Sequence, residues 1–193
     1  DWDDLLTPDA LERVALEFKV GVADFVYSNA AYFTGDFQPA KRFNPAGGWR
    51  WRPFTYQGHA LDEIVSFDVS PASLLWIYFA PDHLRAWRRT FYETIGGHNP
   101  ELPVADDHEL LLRTWLAGGA MVHLDKCLYL YRAENNTWLS DRNADIQRLT
   151  HANYRKLLEP VALKWTRDQG LLALDLCGGI NPRPGFQSVD VLP

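Results

Sequence analysis

The sequence predicts an α/β protein, and three observations carry that prediction. Runs rich in β-branched and aromatic residues alternate with segments whose apolar residues recur at helical spacing, the order that builds a sheet covered by helices. The 193 residues are 47% hydrophobic, ordinary for a folded chain and sufficient for one domain or one domain plus part of another. Glycine pairs at Gly47-Gly48, Gly96-Gly97 and Gly178-Gly179 punctuate the periodic segments as turns.

Taken in order, Thr7 is a helix N-cap and Pro8 a first helical residue, and Leu11, Val14, Ala15 and Phe18 place a helix over 8–20. "VADFVYSNAAYF" reads as a strand. The stretch from Gly35 to Gly58, with Pro39, Pro45 and Pro53, reads as a long loop or irregular hairpin holding one short strand, "WRWRPF". The unbroken apolar run "LLWIYFA" suggests a buried strand. A helix is expected from Pro81, with Leu84, Trp87, Phe91 and Ile95 on one stripe and Gly96-Gly97 ending it. "ADDHELLLRTWLAGG" is a second short helix, acidic at its start. "AMVHLDKCLYLYR" reads as strand, turn, strand. Residues 141–169 are helical, broken or kinked near Pro160. "LLALDLCGGINPRPGFQSVDV" closes the chain as strand, turn, strand.

Composition narrows the function classes. A net charge of −6 argues against a nucleic-acid groove, which needs a basic surface. No run reaches the roughly 18 apolar residues of a membrane span, and no signal peptide stands at the start. Cys127 and Cys177 are too few for a disulfide framework and are read as reduced thiols of a cytoplasmic protein. Eight tryptophans, eight tyrosines and ten phenylalanines supply both a core and flat faces of the kind that sugar-binding clefts use.

Two carboxylate groups stand out. In "DWDD", Asp1 and Asp3 are one residue apart and can point to one site from an extended turn; such hard oxygen ligands suit Mg²⁺ or Mn²⁺ on a diphosphate. The plainer alternative is that acidic residues before a helix complement its positive end. In "GGHNPELPVADDHELLLR", Asp106 and Asp107 open a helix, and one of them could accept a proton from a substrate hydroxyl. Helix capping is again the alternative, above all for Asp106.

The order "DWDDLLTPDALE", "ADFVYSN", "LRAWRRTFYETIGGHNPEL", "DDHELLLR", "YLYR" resembles the second half of an inverting, family-2-type glycosyltransferase with the GT-A fold. The resemblance covers roughly residues 1–133. It implies a partial GT-A, Rossmann-like fold without its N-terminal nucleotide-binding strands, so the chain is expected to be a fragment cut at the metal-binding turn. It also implies Asp107 as catalytic base, Asp3 helped by Asp1 on Mg²⁺ or Mn²⁺, Asp4 supporting the turn, and Arg132 steering phosphate or holding structure. The implied partners are a UDP- or GDP-sugar donor and a saccharide or other hydroxyl acceptor, at a cytoplasmic location that includes the cytoplasmic face of a membrane. The sheet edge left by the absent half leaves a homodimer open. Two positions depart from the pattern: Asp106 replaces the family's Glu before Asp107, and Glu134 stands where relatives often carry His. His98, His108 and His123 are read as structural.

Residues 171–193 resemble the first motif of a class I S-adenosylmethionine-dependent methyltransferase. That likeness implies Gly178 and Gly179 as a cofactor turn and Asp190 as the acid on a ribose; one more β-turn-β unit of the main domain is the alternative. The expected organisation is a glycosyltransferase part over 1–140, a helical linker over 141–170, and the opening of a second domain over 171–193. In "WRWRPF", Trp49 and Trp51 share a face that could stack on a sugar, and Arg50 and Arg52 share the other; covering a sheet edge is the commoner use of such rings. Rival readings are a non-catalytic sugar- or nucleotide-binding module and a substrate-recruiting part of a methyltransferase fusion.

Overall fold

Ten consecutive residues, Phe25–Thr34, form the strand around which the protein is built (β2), and nearly all of it is buried. The computed structural model describes residues 3–76, 80–133, 143–176 and 183–189. Before β2 come β1 (Leu5–Leu6) and α1 (Ala10–Val20); after it come β3 (Gln38–Pro39), a 3₁₀ turn at Pro45–Gly47, β4 (Arg50–Tyr56) and β5 (His59–Val65). Then follow α2 (Pro71–Trp76), β6 (Arg85–Trp87), α3 (Arg89–Thr94), α4 (Asp106–Leu116), β7 (Met121–Arg132), α5 (Asn143–Asp168), β8 (Leu174–Leu176) and β9 (Gln187–Val189).

The main sheet runs β1-β7-β2-β5-β4, with β3 and β6 also on β2. β2 and β7 are parallel; the other pairs in this sheet are antiparallel. The protein is therefore of mixed α/β class with a mixed central sheet. Side chains alternate across β2 and divide the core. Phe25 and Tyr27 face Leu74 of α2, Leu111 and Leu112 of α4, and Leu157 and Val161 of α5. Val26 faces the other way, onto Val14 and Phe18 of α1 with Leu84 and Val122. Beyond a register shift at Ser28–Ala30, Ala31 and Phe33 join Leu61, Cys127 and Leu130.

Several expectations are corrected. "LLWIYFA" does not begin as a strand: Pro71–Trp76 is helix, and 77–79 lie outside the described residues. Ser70 caps α2, its Oγ accepting from the Ser73 amide at 3.1 Å, and Pro71 takes the first helical position. A short buried apolar run has no period that separates strand from helix, so this Ser-Pro start was the better signal. The helix expected from Pro81 is a strand and a separate short helix. Leu84 packs in the α1-side cluster while Trp87 packs on Phe25 at 4.5 Å on the opposite face of the sheet. Strand alternation achieves that division and a helical stripe cannot.

β7 is one strand, not two. Its turn-like pair is drawn into tertiary ion pairs, Asp125 with Arg52 at 2.7 Å and Lys126 with Asp9 at 2.7 Å. α1 starts at Ala10, after Asp9, so Pro8 is not helical; the Thr7 hydroxyl donates to the Asp9 carboxylate at 2.9 Å instead of capping the helix. α5 runs unbroken through Pro160. Of the two expectations for Gly35–Gly58, loop or irregular hairpin, the second is nearer: β4 pairs with β5, just beyond that stretch, in a hairpin turned at Gln57-Gly58, both with positive φ (49° and 85°), the geometry of a type I′ turn. Pro53 is tolerated because β4 ends the sheet order. Cys127 is a free, buried thiol, its pKa pushed up to about 12 chiefly by burial; Cys177 lies outside the described residues.

Candidate active site

The candidate site forms where the loop before β6, the head of α4 and the end of β7 meet the turn that precedes β1. Register sets the last of these: Leu5 and Leu6 pair with Leu130 and Tyr129, which holds the Asp3-Asp4 turn beside the end of β7. Asp4 is used structurally. Its two carboxylate oxygens accept from the Tyr129 hydroxyl at 2.6 Å and from the Arg132 backbone amide at 2.8 Å. Burial first, then the Asp4 carboxylate, push the Tyr129 phenol far up, so it remains a neutral donor. Tyr129 stacks on the His83 imidazole with 5.1 Å between centroids.

Asp107 stands in the first turn of α4, just past Ala105, whose φ of 58° turns the chain into the helix. Asn153 of α5, itself buried, donates to the Ala105 carbonyl at 3.2 Å and ties this corner to the long helix. One Asp107 oxygen is ion-paired with the Arg85 guanidinium, and the other accepts from the His108 amide at 2.8 Å. Arg85 is only 4% exposed and also donates through Nε to the Pro81 carbonyl at 2.8 Å. The Asp107 side chain is 40% exposed. Desolvation pushes its carboxyl up, but the charge and hydrogen bond of Arg85, the His108 amide and the His83 charge together hold it below the ordinary 3.8. Asp107 is thus a carboxylate at neutral pH, anchored yet open to solvent, with lone pairs left to accept from a further donor.

His83 is braced by Asp82. The buried Asp82 carboxylate accepts from the His83 amide at 2.7 Å and from the Tyr32 hydroxyl at 2.8 Å, while the Asp82 amide donates to Ser66 Oγ at 3.0 Å. Asp4 is hydrogen-bonded to Tyr129 and Tyr129 stacks on His83, while Asp107 is paired with Arg85 and feels His83 through its charge alone. His83, Arg85, Asp82, Tyr32 and Tyr129 were missed as site residues. Their segments, "PDHLR", "YLYR" and, for Tyr32, "NAAYF" of β2, carry the right chemistry, but nothing in a linear sequence says that they meet.

The other expected residues fall as follows. Asp3 keeps its carboxylate loosely engaged, 4.0 Å from Arg132 Nε and 32% exposed. Asp106 stands 3.9 Å from His98 Nε2, whose other ring nitrogen meets the Tyr92 hydroxyl at 2.8 Å. The Arg132 guanidinium lies over Phe33 at 4.8 Å. Trp49 and Trp51 both pack on Phe43, at 4.8 and 6.1 Å between ring centroids, and Phe43 meets Tyr32 edge-on at 5.9 Å. Arg52 is held by Glu63 and Asp125. His108 is buried with Nε2 donating to the Leu74 carbonyl at 3.0 Å, and burial pulls its pKa down, so it is a neutral structural imidazole. Asp1, Glu134, Gly178, Gly179 and Asp190 lie outside the described residues.

A divalent cation fits the donor chemistry at Asp3, a hard and partly exposed carboxylate; Asp4 is already committed to Tyr129 and Arg132. Among the described residues no three His, Cys, Asp or Glu side chains form an ion cage. Mg²⁺ needs no such cage, since one or two carboxylates plus substrate phosphates commonly hold it. Also among the described residues, no helix is long and apolar enough to cross a membrane. The chain matches no protein-family model and no curated protein.

Arg85→Met tests the electrostatics directly. The Asp107 carboxyl, its pKa depressed by folding, contributes stability that is present above its unfolded value and lost as pH falls through the lowered folded value. Removing Arg85 lets desolvation push that pKa back up. Urea melts across the acid range should therefore show a shallower loss of stability with falling pH in Arg85→Met than in the parent. Parallel slopes would show that Arg85 does not set the charge state of Asp107.

Proposed function

We propose that the chain is the acceptor-side part of an inverting glycosyltransferase of the GT-A type, with Asp107 as the general base. The observation that carries this reading is the anchored, ionised and solvent-open Asp107 at the head of α4, held by Arg85 and the His108 amide. Arg85 and the His108 amide orient the carboxylate. An acceptor hydroxyl donating to a remaining lone pair passes its proton to Asp107 as its oxygen attacks the anomeric carbon, and the nucleotide leaves from the opposite face. One displacement inverts the configuration. The depressed pKa lowers the basicity of Asp107 but keeps it ionised, so proton transfer would occur late, as the attacking oxygen gains positive charge.

Asp3, with Asp1, would hold Mg²⁺ or Mn²⁺ against the donor diphosphate; when bound, the metal supplies Lewis-acid stabilisation of the leaving group. Asp4 keeps the turn in register through Tyr129 and Arg132. The rings of Trp49, Phe43 and Tyr32 pack on one another, so a saccharide acceptor rests on the family resemblance. A second reading concerns the C-terminal stretch. β8 and β9 pair in parallel, in a sheet of their own, which is not a tight hairpin, because a tight turn joins only antiparallel strands; the opening of a methyltransferase-like domain rests on the resemblance of this stretch.

The test is the melting temperature with Mn²⁺, scanning UDP, GDP and their sugar conjugates, beside an Asp3→Asn variant. Ligand that binds the native state raises stability by about 2.7 kcal/mol at a hundredfold excess over Kd. The expected result is a metal-dependent rise with one nucleotide that Asp3→Asn loses. Absence of any rise in a longer protein carrying the nucleotide-binding strands would sink the proposal.

A further inference from the structure

α5 packs Ile146, Asn153, Leu157 and Val161 into the protein and turns a basic side outward. Arg148, His151, Ala152, Arg155 and Lys156, all exposed, lie together along this open face. Positions three, four, seven and eight residues apart share one helix face. Ala152 is small and leaves room between Arg148 one turn before and Lys156 one turn after.

This concentration of charge runs against the rest of the molecule. The chain carries a net charge of −6, and many of the cations elsewhere are paired. Arg13, Arg42, Arg52, Arg85, Arg89, Arg113, Lys126 and Lys164 each lie against a carboxylate. Arg155 and Lys156 have no carboxylate partner among the described residues, although Glu159 stands one turn from Arg155. Arg148 reaches only Asp145, at 3.1 Å in an exposed pair, an arrangement of little strength. Like charges one turn apart repel, so the face gains from an incoming counter-charge.

We infer that this face of α5 binds a ligand carrying phosphate groups. Two guanidinium forks and an ammonium match a phosphate or diphosphate, whose oxygens accept several charge-assisted hydrogen bonds at once. A nucleic acid is disfavoured by the acidic balance of the whole chain. The phosphate belongs either to a free molecule or to a lipid headgroup. None of these residues has a role in the proposed transfer reaction, so the inference stands or falls apart from it.

The experiment follows backbone amide chemical shifts of the full chain during titration with inorganic pyrophosphate. A parallel arm measures sedimentation with vesicles of phosphatidylcholine plus phosphatidylglycerol, against phosphatidylcholine alone. The expected result is a saturable shift confined to α5, or retention on the anionic vesicles, weakened about tenfold or more by the double variant Arg155→Glu/Lys156→Glu. Lys19→Glu, a change of the same sign at an exposed position on α1, should leave it intact. Pyrophosphate binding assigns the site to a free ligand; retention on anionic vesicles alone assigns it to a headgroup. If the reversal variant loses its native spectrum, Arg155→Gln/Lys156→Gln replaces it. The inference is overturned if neither probe perturbs α5, or if Lys19→Glu weakens binding as much as the double variant.

Discussion

Asp107→Asn is expected to lower sugar transfer by about 10²–10⁴-fold, the contribution of a positioned general base, in a protein that carries the complete donor site. Asparagine keeps the shape and can still accept from the His108 amide through its carbonyl oxygen, but it cannot take up a proton. Nucleotide binding in the presence of Mn²⁺ should survive, because Asp3 and Asp4 belong to a different segment. The variant also removes the charge partner of Arg85, which is 4% exposed, so some stability is lost with the activity. Comparing turnover at a temperature far below the melting point separates the two effects. Near-normal turnover would remove Asp107 from the mechanism whatever the stability result.

The second large effect concerns the core. Phe25→Ala is expected to cost about 3–5 kcal/mol, a large part of the 5–15 kcal/mol that holds a typical domain folded. Phe25 is fully buried, stacks with Tyr27 at 5.8 Å and packs against Trp87 at 4.5 Å. It pairs on one side with Trp87 of β6 and on the other with Met121 of β7. Truncation there leaves a cavity between the sheet and the layer made by α2, α4 and α5. It also loosens β6, which carries Arg85 to Asp107, so affinity and activity should fall along with stability. Urea denaturation measures the cost; Phe25→Leu, which keeps most of the volume, should lose far less. Equal losses in the two variants would mean that the ring shape, not the filled volume, is what the core requires.

Local chemistry was enough to read much of this protein from its sequence. The α1, β2, β4 and α4 segments carry their own signals, in apolar spacing, β-branched content, and an acidic start with glycines after the end. The Asp106-Asp107 pair at a helix start was legible for the same reason, as a short-range pattern; of the Asp1-Asp3 pair, Asp1 lies outside the described residues. What the sequence concealed involves partners distant along the chain. "LLWIYFA" begins as a helix because α2 is needed to cover Phe25 and Tyr27, and a continuous apolar run accommodates either geometry. The segment after Pro81 gives up helical spacing because β2 offers an unpaired edge at Phe25–Tyr27, and hydrogen bonding to that edge satisfies backbone groups that burial would otherwise strand.

The same division applies to the site. Residue type and spacing determined which carboxylates could do chemistry. Only the tertiary structure decided that Asp4 is spent on Tyr129 and Arg132 while Asp3 remains loosely held, that Arg85 is the counter-charge of Asp107, and that His83 stacks on Tyr129. Those outcomes depend on the parallel pairing of β2 with β7 and on β6 lying beside them. Such pairings are set by burial summed over the whole chain, and no short window of sequence contains that sum.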